Sequence, residues 1–311
     1  MANILITSEY FGFFSEEGVN LLKNSRHKMI QNPYGHKFLL PEEIIPHIHE
    51  ADAIICDLEQ INKEVMDAAP NLKIISRRGV GVDNVDMEAA SSKGIKVART
   101  VGVIEDSVAE LVMAYILCFG RRISEMNSKM QNHNWEKLPS EGVIGKTLGI
   151  IGMGNIGRRL ISLAQAFSMR VLYYDTFRQE DLESDLKITY STMEELLAHS
   201  DYITLHVPLN KDTYHLIDAA SLARMRSTAY LINASRGAVV DDQALYKVLT
   251  EEKIAGAAVD VFSREPETNS PLCGLTNAIL TPHVATFTKP TFINMDVMAA
   301  QNVLDFFNEQ E

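Results

Sequence analysis

The chain has 311 residues, enough for two average domains that each bury a core of their own. Hydrophobic content of 46% and charged content of 23% describe an ordinary globular protein. The formal net charge of −12 argues against nucleic acid and anionic membrane surfaces as partners, while leaving room for a local basic pocket that takes a small anion. Residues 1–7 are too short for a signal peptide and read as a first strand, and the apolar run 111–119 falls far short of a membrane span. Cys56, Cys118 and Cys273 lack metal-ligand or redox spacing and read as buried free thiols in a reducing compartment. Together these features predict a cytoplasmic protein.

Along the chain, apolar strand-like runs at 4–7, 53–56, 73–76 and 95–98 alternate with helical segments at 16–24, 41–50, 63–69 and 86–92. Repeated βα units imply a mostly parallel sheet with helices on both faces. A long helix is expected from Glu105 to about Lys129, with Glu105 and Asp106 in its first turn, where the helix dipole favours acids. Residues 126–146, which contain the one tryptophan (Trp135), read as an extended arm whose apolar residues either pack locally or reach a second subunit. The βα alternation resumes at 147, with further strands at 202–207, 229–233, 257–261 and 278–280. A closing helix over 290–307 is expected to return to the first domain and make it discontinuous.

The densest signal lies at 147–175. A short apolar strand feeds Gly152-Met-Gly154-Asn155-Ile156-Gly157, a helix follows, and a second apolar strand ends in Asp175. Gly152 permits the tight turn, Gly154 lets the backbone approach a pyrophosphate, and Gly157 lets the helix sit close to the strand. The helix N-terminus supplies N–H groups and positive dipole to the phosphates. Asp175 accepts hydrogen bonds from adenosine ribose hydroxyls and repels a 2′-phosphate, which favours NAD; Arg178 leaves service of a 2′-phosphate open.

Three later segments are expected at the C-terminal ends of strands, where ligands of open α/β sheets bind. They are Asn233-Ala-Ser-Arg-Gly237, Asp260-Val-Phe-Ser-Arg-Glu-Pro266 and Thr281-Pro-His283. Arg236, Glu265 and His283 stand out. An arginine can grip a carboxylate bidentately and polarise the carbonyl beside it. A protonated histidine can give its proton to that carbonyl oxygen, and a neighbouring carboxylate favours the protonated imidazole. Singly, each has a bland reading: a surface ion pair, a solvated acid, a strand-end histidine. The other histidines form no metal-ligand set, and no metal is expected.

The nucleotide turn and these three segments, in this order and spacing, closely resemble the D-isomer-specific 2-hydroxyacid dehydrogenase family over nearly the whole chain. The resemblance implies two doubly wound parallel-sheet α/β domains, with a Rossmann NAD domain (101–286) inserted into a flavodoxin-like substrate domain (1–100, completed by 287–311). Residues 105–146 would then form the interdomain helix and the arm of a homodimer. It implies Arg236 as substrate anchor, Glu265 as partner of the imidazole and His283 as acid/base. Cofactor contacts carried over are Gly152, Gly154, Asn155, Ile156, Gly157, Asp175, His206, Pro208 near the adenine, Thr213, Ala234, and Asp260 at the nicotinamide amide. Ser76-Arg-Arg-Gly-Val-Gly-Val-Asp-Asn84 looks like the substrate loop, whose N–H groups around Val80 and Gly81 hold the substrate carboxylate.

Arg77 followed by Gly-Val-Gly-Val-Asp-Asn is most like short phosphoglycerate dehydrogenases, with Arg77 and Arg78 available to a second anionic group. Asp57, Ile104 and Ala285 depart from that pattern. The expected activity is NAD-dependent interconversion of a 2-oxo acid and a D-2-hydroxy acid, on a phosphorylated substrate such as 3-phosphoglycerate. The alternative substrates are hydroxypyruvate or glyoxylate. A reading of a different class is an NAD-sensing binding protein without turnover, which gains nothing from a chain whose reactive trio is intact.

Overall fold

A computed structural model describes residues 1–309, and the chain divides into two compact units, Met1–Ile104 with the chain from Thr286, and Glu105–Ala285. The first unit runs β1 (Asn3–Ile6), α1 (Glu17–Lys23), β2 (Lys28–Ile30), α2 (Pro41–Ile48), β3 (Ala53–Cys56), α3 (Lys63–Asp67), β4 (Ile74–Arg77), α4 (Met87–Ser92) and β5 (Lys96–Arg99). Every pairing is parallel, in the order β2-β1-β3-β4-β5, the flavodoxin-like order.

Side chains alternate along a strand, and both sheet faces here are covered, so the central strands are apolar throughout. Leu5, Ile54, Cys56 and Ile75 pack with Ile44, Ile48, Val65 and Ala90. Ile4, Ala53, Ile55 and Ile74 face the other way, onto Val19 and Leu22 of α1 and onto Ala299, Val303 and Phe306 of the C-terminal helix (Lys289–Asn308). Side chains of Asn62 and Asp86 cap α3 and α4. The edge strand β2 escapes the sequence reading because its three residues carry no buried apolar run.

The second unit begins with α5 (Glu105–Gly120) and α6 (Ile123–Gln131). Then come β6 (Thr147–Ile151), α7 (Asn155–Ala166), β7 (Arg170–Tyr174), α8 (Glu180–Leu186), β8 (Thr189–Tyr190) and α9 (Met193–His199). The chain continues through β9 (Tyr202–Leu205), α10 (Ala219–Arg224), β10 (Tyr230–Asn233), α11 (Asp242–Thr250), β11 (Gly256–Val259) and β12 (Ala278–Leu280). All seven strands are parallel, in the order β12-β11-β10-β9-β6-β7-β8. The chain winds outward from β6 to β8, then crosses back to β9 on the other side of β6. The crevice above the C-terminal ends of β6 and β9 is therefore the topological switch point of a Rossmann-type sheet. Apolar residues of α5 (Val112, Met113, Tyr115, Ile116) share a core with Ile150, Leu160 and Ile161.

Two expectations need correction. The single helix expected from Glu105 to Lys129 is broken: Gly120 ends α5, and Arg122 sits in the left-handed region (φ 50°), held by paired bonds of 2.7–2.9 Å from its guanidinium to Glu125. The cysteines are not uniformly buried, since Cys118 is half-buried and Cys273 exposed.

Candidate active site

The nucleotide turn follows β6. Gly152 has φ +97°, and a Cβ there would lie 2.7 Å from the carbonyl oxygen of His206. A Cβ on Gly157 would meet the Gly152 carbonyl oxygen at 2.5 Å. Around Gly154, by contrast, a Cβ would meet no protein atom within 4 Å. Two glycines thus serve the chain's own packing, and the third opens a space at the head of α7 that no protein atom fills. This is the cradle a pyrophosphate requires at a helix N-terminus. Exposed Asn155 and half-buried Ile156 form the first turn of α7 beside it.

Asp175, just past β7, braces the same turn by accepting from the Met153 N–H at 2.7 Å. Arg178 is committed elsewhere, with Nε and Nη2 on Glu183 at 2.8 and 2.9 Å. An arginine so engaged is poorly placed to take a 2′-phosphate.

The remaining sequence-derived cofactor residues also follow strand ends on this edge. His206 and Pro208 come after β9, with the Thr213 hydroxyl donating to the Pro208 carbonyl at 2.6 Å. Ala234 comes after β10. His206 Nε2 shares a 2.9 Å hydrogen bond with Thr204, and its Nδ1 is buried without a protein partner among the described residues. Burial pushes the His206 pKa down to about 3, so its ring is neutral.

Arg236, Glu265 and His283 follow the adjacent strands β10, β11 and β12. Asn233, the last residue of β10, folds its own turn: Oδ1 accepts from Ser235 N and Oγ at 3.1 and 2.8 Å, while Nδ2 donates to the Arg236 carbonyl at 2.9 Å. Gly237 then lets the Phe262–Ser263 backbone pass directly against this turn; a Cβ would lie 2.0 Å from the Phe262 carbonyl carbon. That approach brings the two segments together. Glu265 accepts from the Phe262 N–H at 2.9 Å and from His283 Nδ1 at 2.6 Å.

The His283 and Glu265 side chains are 21% and 29% exposed, accessible to a small molecule yet partly shielded from water. Burial alone would raise the Glu265 pKa. The His283 hydrogen bond and charge, together with the charge of Arg236, outweigh it and hold the carboxyl below its ordinary value. An ionised carboxylate only accepts, so His283 carries a proton on Nδ1 and its Nε2 is left for another partner.

His283 itself has φ +52°, a left-handed conformation that costs a non-glycine residue about 1–2 kcal/mol. Its neighbours hold it there. His283 N–H donates to the Asp260 carbonyl at 2.7 Å, and the Asp260 carboxylate accepts from the N–H groups of Val284 and Ala285, both at 2.9 Å. Asp260, which the resemblance puts at the nicotinamide amide, is buried here, and these donors and the Thr281 hydroxyl (2.5 Å) draw both its oxygens to the His283 loop.

In the first unit, the expected substrate loop follows β4. Among the described residues the N–H groups of Val80 and Gly81 have no protein acceptor, so they stand ready for an anion. The arginines before them do not. Arg78 is buried, with bonds of 2.5 Å to Asp57 and 2.6 Å to Asp296 and its guanidinium 4.9 Å from the Phe292 ring centroid. Arg77, expected as a substrate contact, is 7% exposed and folds back to donate to the Arg78 carbonyl at 2.6 Å. The placement of Arg78 has a physical cause: a buried guanidinium must be paired, and Asp57 and Asp296 do this for it.

Sequence reasoning did not single out Gly237, Ser107, Tyr115 or Thr281. Gly237 was legible in principle, as a glycine directly after Arg236; the others are signalled only by three-dimensional contact.

Residues 113–285 match the family described as "D-isomer specific 2-hydroxyacid dehydrogenase, NAD binding domain". The chain is 41% identical over 271 residues to a glyoxylate reductase of Korarchaeum cryptofilum, covering 85% of this chain and 82% of that protein. Among solved structures it resembles a glyoxylate reductase from Paecilomyes thermophila, with a TM-score of 0.89 and 26% identity over 100% of this chain and 96% of that one. A D-lactate dehydrogenase from Aquifex aeolicus, complexed with NAD and lactic acid, gives 0.85 and 28% over 99% and 96%. The chain belongs to the D-isomer-specific 2-hydroxyacid dehydrogenase family and is an NAD-dependent oxidoreductase.

Proposed function

We propose that the protein reduces a small, unphosphorylated 2-oxo acid of the glyoxylate or hydroxypyruvate class to the corresponding 2-hydroxy acid. The observation that carries the choice is Arg78 locked between Asp57 and Asp296, which removes Arg78 as a cation for a second anionic group. The names of the relatives support the same choice over a phosphoglycerate substrate.

When bound, the reduced nicotinamide supplies hydride to the substrate carbonyl carbon. Arg236 anchors the substrate carboxylate and polarises the carbonyl. His283 Nε2 delivers the proton to the carbonyl oxygen, and Glu265 stabilises the imidazolium and fixes the ring. The free N–H groups of Val80 and Gly81 serve as carboxylate donors. Residues 105–146 are the interdomain helix and the arm of a homodimer, the arm supported by the exposure of Ile123, Met130, Trp135 and Ile144.

Comparison of kcat/KM for glyoxylate, hydroxypyruvate and 3-phosphohydroxypyruvate, followed by loss of NADH absorbance, tests the substrate class. The unphosphorylated acids are expected to win by tenfold or more, about the 1.4 kcal/mol that separates one decade. Preferential turnover of the phosphorylated acid would overturn the assignment.

Glu265→Gln is expected to lower kcat about tenfold with KM for the oxo acid nearly unchanged. The neutral amide oxygen can still accept from His283 Nδ1 but no longer sets a charge beside the imidazole. An unchanged kcat would remove Glu265 from this role.

A further inference from the structure

The geometry points to Tyr115 as a positioning residue for His283, acting through the Thr281 hydroxyl and the Asp260 carboxylate. Tyr115 lies on α5, 3% exposed, and its hydroxyl is hydrogen-bonded to Thr281 Oγ1. Thr281 Oγ1 in turn donates to Asp260 Oδ1 at 2.5 Å. A hydroxyl has one proton, and that of Thr281 is given to the carboxylate, so Tyr115 must be the donor in the first bond. The chain therefore runs one way, from Tyr115 to Thr281 to Asp260.

Asp260 is where that chain meets the reacting histidine. Its carbonyl accepts from the His283 N–H, and its carboxylate accepts from Val284 and Ala285. These bonds hold His283 in its left-handed conformation. About two turns toward the start of α5, the buried Ser107 hydroxyl donates to the Ala285 carbonyl at 2.5 Å. The helix thus grips the loop on both sides of His283, at Thr281 and at Ala285. A tyrosine that served packing alone would need no acceptor, and phenylalanine would fill the same space. The hydroxyl matters because a buried network is worth its geometry only when every member is satisfied.

This inference rests on His283 being the acid/base of the proposed reaction, and the test separates the two claims. Tyr115→Phe is expected to lower kcat about tenfold, less than the ~10²-fold that a displacement of 1 Å can cost. KM for the oxo acid and Kd for NADH, measured by fluorescence titration, should stay within about twofold. In the His283→Ala background, Tyr115→Phe should produce little further loss, because residues that act through one group are non-additive. Thr281→Val should match Tyr115→Phe, and Thr281→Ser, which restores the hydroxyl, should recover most of kcat. The Val/Ser pair tests the same relay if Tyr115→Phe does not fold. Equal losses from Tyr115→Phe with and without His283, or an unchanged kcat in Tyr115→Phe beside a crippled His283→Ala, would overturn the inference alone. An active His283→Ala would instead overturn the acid/base reading beneath it.

Discussion

Replacing His283 with alanine is expected to lower kcat by about 10²–10⁴-fold, the usual worth of a positioned acid/base, with NADH affinity nearly unchanged. The expectation follows from three features of the site. Nδ1 is occupied by Glu265 at 2.6 Å, so Nε2 is the reacting nitrogen. The ring is 21% exposed, which admits a substrate while limiting bulk water. The backbone is held at φ +52° by a set of hydrogen bonds centred on Asp260, an arrangement with a conformational cost and no evident packing benefit. Nucleotide binding should survive because the turn at Gly152–Gly157 follows β6, separated from β12 in the sheet by β9, β10 and β11. Steady-state kinetics beside NADH titration checks both halves. Retention of more than half the activity would remove His283 from the mechanism.

The features legible in the sequence are those in which backbone geometry restricts residue type. Gly152 needs φ +97° and Gly157 a close approach, so the nucleotide turn announces itself. Strands buried on both faces appear as apolar runs, which is why β3 and β6 are plain and the half-exposed edge strand β2 is not. Side-chain commitments made across long separations were not legible. Arg77 and Arg78 read as spare cations beside the substrate loop, yet Arg78 bonds Asp296, 218 positions away in the chain. Asp57 read only as a departure from the phosphoglycerate pattern; in three dimensions it neutralises Arg78. For Asp260 the resemblance implies a cofactor contact, while its bonds to Thr281, Val284 and Ala285, from the segment that follows β12, were not legible. Motifs show which residues gather at a site. Which way each side chain turns depends on the donors and acceptors that tertiary folding brings to it.

Gly237→Ala is expected to lower kcat about 10²-fold and to cost about 1–3 kcal/mol of stability, although glycine takes no direct part in the reaction. An added Cβ would lie 2.0 Å from the Phe262 carbonyl carbon and 2.2 Å from the Ser263 nitrogen, where ordinary contact begins near 3.4 Å. These are backbone atoms and cannot rotate away, so the two segments must part by more than 1 Å. The displacement falls directly on the catalytic trio. Arg236 immediately precedes the glycine, and Phe262 donates the hydrogen bond that fixes the Glu265 carboxylate. Gly154→Ala supplies the contrast. Its Cβ would meet no protein atom within 4 Å, so thermal stability should hold while the methyl group occupies pyrophosphate space and NADH affinity falls. Calorimetric Tm, NADH titration and kcat for both variants separate the two effects. A Gly237→Ala enzyme with normal Tm and kcat would show that the close approach does not organise the site. A Gly154→Ala enzyme with normal NADH affinity would show that the phosphates lie elsewhere.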